Sequence, residues 1–376
     1  MTPKDTIFML AGPVKMHPKV LQAMTAPYVA HRGAGFTEVI GEIRDLSKYL
    51  FQTDKHVCVL SGSGTAGLDA AISSLFRRDD RILNLANGKF GERFHEISEV
   101  YASSSLLESD WGKPFGLEDI EKALEDGDFK AVTICHNETS TGMTNQLEEI
   151  ARIAQDHGAL VIADAITSAG GLPFKPDEWG VDLAIVGSQK ALAAPAGLAI
   201  LYLSERAYET LNEDVPYYLN LKKHVDKIEQ KSQTPWTPAI PLFLALRESL
   251  ALLKEEGLEN RLARIHRMAE AARAAVASLG LELFPDPAFA SDTVTAIRYP
   301  QGIDDLEFRT TLREKYGVVV AGAQAHIKGK IFRIGTMGFC TMTDLLCTFS
   351  AVESLLRDAG VDVRKGSGTE VFADYI

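Results

Sequence analysis

Val181-Asp-Leu-Ala-Ile-Val-Gly-Ser-Gln-Lys190-Ala holds an apolar run that stops at Gly187 and, after two polar residues, a lone lysine. Upstream, Leu160-Val-Ile-Ala-Asp164 is a second apolar run and ends on a single acid. Short apolar runs bounded by polar residues fit buried strands of a largely parallel sheet. A lysine amine attacks a carbonyl only when neutral, and burial lowers its pKa. A strand-end lysine with a strand-end acid therefore suggests Schiff-base chemistry. A surface lysine opening a loop after a strand fits the same residues, so the rest of the chain decides.

Outward from these two runs, strand-like and helix-like pieces alternate. Val57 to Leu60, Arg81 to Leu85, Ala131 to Cys135 and Leu198 to Leu203 read as further strands. Asp69 to Phe76, the stretch near Phe94 to Tyr101, and Leu147 to His157 have helical spacing, with Gly158 as a stop. This order predicts an α/β sheet, mostly parallel, with its ligand at the carboxyl ends of the strands. Near Thr237 the pattern changes. Pro238 to Glu255 and Glu259 to Leu279 read as long helices, with Arg264, Arg267, Arg273 and Glu270 on a solvated face. Short strands follow at Leu281 to Phe284, Thr293 to Arg298, Val318 to Ala321 and Ile331 to Ile334, then a helix from Thr343 to Ala359. From about residue 257 this reads as a smaller α+β domain, and Lys365 to Ile376 as a surface tail.

The chain has 376 residues, 46% of them hydrophobic, enough for two domains or one large domain with an appendage. Its formal net charge of −12 disfavours nucleic acid and anionic membranes as partners. Cys58, Cys135, Cys340 and Cys347 are scattered without metal-site spacing and read as free thiols. Met1-Thr-Pro-Lys-Asp does not open a signal peptide, and no apolar run approaches the ~20 residues of a membrane span. A soluble, cytoplasmic protein is expected.

Leu60-Ser-Gly-Ser-Gly-Thr-Ala-Gly67 follows a strand and opens a helix. Glycines let backbone amides approach an anion, and a helix N-terminus adds partial positive charge. The Gly-Lys-Ser/Thr ending of a nucleotide P-loop is missing. Gly62, Gly64 and Gly67 satisfy GxGxxG, but the dinucleotide reading wants an acid at the end of the next strand. Leu83-Asn84-Leu85 supplies none. A phosphate cup remains, with a ligand-free glycine turn as the plainer alternative.

A phosphate cup, a strand-end acid and a strand-end lysine are the parts of a pyridoxal 5′-phosphate site. Here the chain resembles the class V aminotransferases of fold type I, closest to the alanine–glyoxylate and serine–glyoxylate group. The likeness spans nearly the whole chain. It implies a mostly parallel seven-stranded sheet with helices on both faces and a smaller C-terminal α+β domain. The implied division is an active-site segment 1–17, a large cofactor domain 18–256 and a small domain 257–376. Ser63, Gly64 and Thr65 match the family's phosphate cup. Asn87-Gly-Lys-Phe-Gly-Glu-Arg93 matches the segment whose aromatic residue, Phe90, stacks on the ring. His136-Asn-Glu-Thr-Ser-Thr-Gly142 matches the HxExxTG loop, with Thr139 near the phenolic oxygen. Asp164-Ala-Ile-Thr-Ser168 places Asp164 at the ring nitrogen and Ile166 on the other ring face. In Gly187-Ser-Gln-Lys190, Lys190 carries the Schiff base and Gln189 reaches the phosphate. Thr237 matches a threonine lent by a neighbouring subunit, which implies a homodimer. Arg333, in Phe332-Arg-Ile-Gly335, matches the substrate-carboxylate arginine. Taken singly, Phe90 and His136 fit core positions and Arg333 a paired structural arginine; their joint order and spacing carry the resemblance.

The resemblance implies ping-pong transfer of an amino group from alanine or serine to glyoxylate or pyruvate, catalysed by Lys190 and Asp164. Gly12 and Val14, in Ala11-Gly12-Pro-Val-Lys-Met-His17, would wall the substrate site, and Val14 would keep it small. Lys15, His17, His31 and Arg32 could instead attract a second anionic group, which leaves an aspartate or 2-aminoethylphosphonate transaminase open. The intact cup argues against a pyridoxamine–pyruvate enzyme. A cysteine desulfurase or β-lyase using Cys340 and a non-enzymatic hydrogenase-associated subunit are the other classes.

Overall fold

In a computed structural model, which describes residues 7–26 and 29–376, two sheets organise the chain. Met1 to Thr6, and with them the start of the expected segment 1–17, lie outside the described residues. The larger sheet runs His56–Ser61, Leu198–Leu203, Leu183–Gly187, Leu160–Asp164, Ala131–Cys135, Arg81–Ala86, Ser103–Glu108. Leu198–Leu203 is antiparallel to both its neighbours, and every other pair is parallel. Because two antiparallel steps restore direction, His56–Ser61 ends on the same sheet edge as Leu160–Asp164 and Leu183–Gly187. Every residue of Ala131–Cys135, Leu160–Asp164, Leu183–Gly187 and Leu198–Leu203 is buried, as β-branched and aliphatic runs covered on both faces require. The helices Gly64–Leu75, Lys89–Tyr101 and Leu147–Asp156 supply that cover.

The second sheet runs Ile7–Met9, Val318–Gly322, Ile331–Gly335, Val294–Arg298. Its core gathers Phe332, Phe349, Val352 and Leu356 with residues of the helix Leu258–Ser278, and Met9 joins it. Ile7–Met9 pairs in parallel with Val318–Val320, so the segment leading to Gly12 is anchored on the C-terminal core. Among the described residues no helix is long and apolar enough to cross a membrane.

Four departures from the sequence expectations bear on the architecture. Ser103–Glu108 is an edge strand whose serine-rich, half-exposed face offers little apolar pattern. Leu281 to Phe284 makes only an isolated bridge, Leu283 to Ile297, because the next amide in line, Asp286 N, donates to Gly112 O instead. Arg273 is not solvated: its side chain is 19% exposed and reaches both Glu270 and Asp292. The C-terminal residues are no loose tail. Ser367–Glu370 and Val371–Asp374 are helical, Phe372 is buried against Phe349, and buried Glu353 accepts from Gly366 N (2.6 Å) and Gly368 N (3.0 Å). Phe372→Ala is therefore expected to cost about 3–5 kcal/mol in urea unfolding; a loss near zero would restore the tail reading.

Candidate active site

The carboxyl edge of the larger sheet opens on a cavity of about 220 Å³. All the sequence-selected site residues line it except Val14, Thr237 and Arg333. Ser63, Gly64 and Thr65 bring the first turn of Gly64–Leu75, whose leading amides have no partner within the helix. Gly64 is needed there, since a Cβ would stand 2.5 Å from Ile166 Cδ1. Lys190 lies in the turn after Leu183–Gly187, and its Nζ donates to Ala11 O at 2.9 Å. Gly12 (φ +116°) leaves room for that lysine; any side chain would run into it.

Asp164 closes its strand, 3% exposed, and its Oδ1 accepts from Ile166 N at 2.9 Å. Burial pushes its carboxyl up to about 7, against the pull of that hydrogen bond. Burial pushes the Lys190 ammonium down to about 8, partly opposed by Asp164. The lysine therefore gives up its proton near pH 8, far more readily than a free one, and only its neutral fraction is nucleophilic; the carboxyl lacks a cation in contact. Gln189 Oε1 is buried without a hydrogen-bond partner.

Three residues fall elsewhere. Val14 packs with Ala11, Ala191, Val294 and Met337 and against Gly338, so it does not narrow the cavity. Thr237 is exposed and outside it. Arg333 sits behind the Thr139 loop, donating from Nη1 to Thr139 O at 2.6 Å and from Nε and Nη2 to Gly322 O at 3.0 and 2.6 Å. A guanidinium has five N–H donors, so one remains on each Nη for a carboxylate. Lys15, His17, His31 and Arg32 do not line the cavity. His17 packs edge-on to Phe339, and Arg32 is spent on Thr234 O and Gln233 Oε1. Cys340 lines a separate cleft, and burial lifts its thiol to about 11, away from thiolate chemistry.

The cavity also contains residues given no role from sequence. Arg93 lines it, its guanidinium carbon 5.0 Å from the Phe90 ring centre. Asn137 lines it too, donating to Thr167 Oγ1 (2.8 Å) and to Thr293 Oγ1 (2.7 Å) on the approach to the smaller sheet. Both lie inside motifs already singled out. Nothing in a sequence signals that Asn137 and Thr293 touch.

The sequence model of the aminotransferase class-V family matches residues 10–343. An uncharacterised aminotransferase of Methanocaldococcus jannaschii is 42% identical, covering 98% of this chain and 97% of its own. A serine–glyoxylate aminotransferase of Methylorubrum extorquens is 34% identical over 97% and 94%. The crystal structure of ureidoglycine–glyoxylate aminotransferase from Bacillus subtilis superposes with a TM-score of 0.94 at 32% identity, covering 100% and 99%. With a half-buried strand-end lysine and a buried aspartate lining one cavity, and likeness along its whole length, the chain belongs to the class-V aminotransferase family.

Proposed function

We propose that this protein is a pyridoxal 5′-phosphate-dependent aminotransferase, a cytoplasmic homodimer, that moves the amino group of a small L-amino acid, alanine or serine, to glyoxylate or pyruvate. The observation that carries the reading is one cavity holding a desolvated lysine, a buried acid and a helix N-terminus. The residues fit the cofactor on three counts. Ser63, Gly64 and Thr65 offer amides and hydroxyls suited to a phosphate, and Gln189, which lines the same cavity, has an NH2 group that could donate to one. Phe90 and Ile166 both line the cavity and could flank a planar ring. Asp164 lacks the cation that a protonated ring nitrogen would supply.

When bound, the cofactor supplies an aldehyde that condenses with amines and a ring that accepts the electron pair left when the substrate Cα–H breaks. Neutral Lys190 Nζ is the nucleophile toward that aldehyde. Freed by the incoming substrate amine, Nζ would take the Cα proton and, as general acid, pass it to the carbon that had been the cofactor's aldehyde, not back to Cα. Asp164, once paired, stays ionised and holds the opposing proton on the ring nitrogen. The two free N–H groups of Arg333 would receive the substrate carboxylate as a bidentate pair. The division at residues 17 and 256, and Thr237 acting across a dimer, belong to the same proposal.

With Val14 outside the cavity, the preference for a small donor rests on the cavity's size and on the relatives. One observation favours a second reading. Arg93 lines the cavity, and among the described residues no ion pair engages it, so an anionic donor such as aspartate has a cation to meet.

Lys190→Ala is expected to abolish turnover and the visible absorbance of the lysine-linked cofactor; normal turnover would sink the proposal. In a donor panel against glyoxylate, pyruvate and 2-oxoglutarate, alanine or serine with glyoxylate should give the highest kcat/KM. If aspartate leads instead, and Arg93→Gln removes that lead, the second reading stands. For Asp164 the sign of the pH effect follows from its raised folded-state pKa. In cofactor-free protein its contribution to stability is complete below the ordinary value of 3.8 and is lost as pH rises through about 7. Cofactor-free Asp164→Asn should therefore gain on wild type between pH 4 and 8 in urea unfolding. The ceiling is a few kcal/mol, at about 1.4 kcal/mol per pKa unit.

A further inference from the structure

Glu138 lies in a short hairpin, Asn137–Glu138 paired with Met143–Thr144, beside the cavity without lining it, and the mechanism above does not use it. Its side chain is fully buried, and among the described residues it forms no salt bridge. A lone buried carboxylate is costly unless donors surround it. Here four do. Phe90 N (2.9 Å) and Gly91 N (3.0 Å) donate to Oε2, while Ser140 N (3.1 Å) and Ser140 Oγ (2.5 Å) donate to Oε1. The first pair are leading amides of the helix Lys89–Tyr101, whose own N-cap is Gly88 and makes no side-chain cap bond. Gly88 is bare for a reason: a Cβ there would collide with the Glu138 side chain. Thus the acid that caps this helix comes from a different element, far along the chain.

That element also carries the neighbouring residue Thr139, which lines the cavity and whose carbonyl accepts from Arg333 Nη1. Gly142, at the other end of the same turn, is pressed against Ala296 of the smaller sheet. The turn therefore stands between Phe90 on one side and Arg333 on the other. We infer that Glu138 is a positioning residue: its carboxylate ties the Phe90 wall of the cavity to the Thr139 wall, which Arg333 braces from behind, so that the two walls keep one spacing. A neutral amide of the same shape has one acceptor oxygen where the carboxylate has two. Glutamine would leave either the helix amides or the Ser140 donors facing an NH2 group.

The inference rests on the proposed cofactor site only for part of its test. Full-length Glu138→Gln, Glu138→Asp and Ser140→Ala are compared with wild type. In cofactor-free protein, amide hydrogen exchange at Phe90 and Gly91 should rise about tenfold in Glu138→Gln, as expected for loss of a charged acceptor. Exchange in the strands Ala131–Cys135 and Leu160–Asp164 should stay unchanged. On adding pyridoxal phosphate, Glu138→Gln should bind it about tenfold more weakly, shift the visible band and raise the KM for the amino donor more than it lowers kcat. Glu138→Asp, which keeps the charge, should recover part of each effect. Unchanged exchange at Phe90 and Gly91 overturns the inference, and so does a uniform rise across the chain, which would make Glu138 merely structural. If Glu138→Gln does not fold, Ser140→Ala decides: weaker cofactor binding at an unchanged melting temperature supports the role, and unaltered binding overturns it. If wild type binds no pyridoxal phosphate, the proposed function fails, while the exchange arm still judges Glu138.

Discussion

Lys190 and Asp164 line one cleft, the first half-buried and the second buried, and among the described residues neither forms an ion pair. Each charge is therefore destabilised by lost solvation, the amine toward neutrality and the carboxyl toward protonation. The tension is local and deliberate in the chemical sense: it makes the cleft receptive to a ligand that brings a cation for Asp164 and an electrophile for Lys190. The sheet sustains it. Strands buried on both faces end together at one edge, and the residues just beyond those ends inherit the low-dielectric surroundings.

Close approach is the second constraint, and glycine provides it. Gly12 brings the N-terminal segment onto Lys190, Gly64 lets Ile166 close over the Ser63–Thr65 turn, and Gly88 admits Glu138. At each position a single methyl would displace a group that lines or supports the cavity. Because Ile7–Met9 pairs with Val318–Gly322, the Gly12 wall is carried by the smaller sheet while the lysine it touches is carried by the larger. The cavity thus depends on the two cores keeping their register, and the Asn137–Thr293 and Arg333–Thr139 hydrogen bonds cross the same seam.

Burial made much of this legible in the chain. Ala131–Cys135 and Leu198–Leu203 have the expected bounds because a strand covered on both faces is apolar throughout and stops where polarity returns. Ser103–Glu108 is not legible because it opens with three serines and is only half covered, whereas the other edge strand, His56–Ser61, is packed under helices and keeps its apolar run. The C-terminal helices are not legible because their order comes from Glu353 and Phe349, not from their own spacing. Within the cavity, residues that follow a strand end were found from their position. Val14 was misplaced, since adjacency to Gly12 in sequence does not say which way the next side chains turn.

By itself, then, the sequence determined the α/β alternation, the strand ends that hold Asp164 and Lys190, and the glycine turn at Ser63, because hydrophobic periodicity and turn chemistry are local properties. Only the tertiary structure decided that Val14 faces the core, that Arg333 spends three of its donors on Thr139 and Gly322, that Arg93 and Asn137 line the cavity, and that Glu138 caps a helix it does not precede. Those facts depend on contacts between residues distant in the chain, and on which polar groups find partners once water has gone. Neither is encoded in any short stretch of sequence.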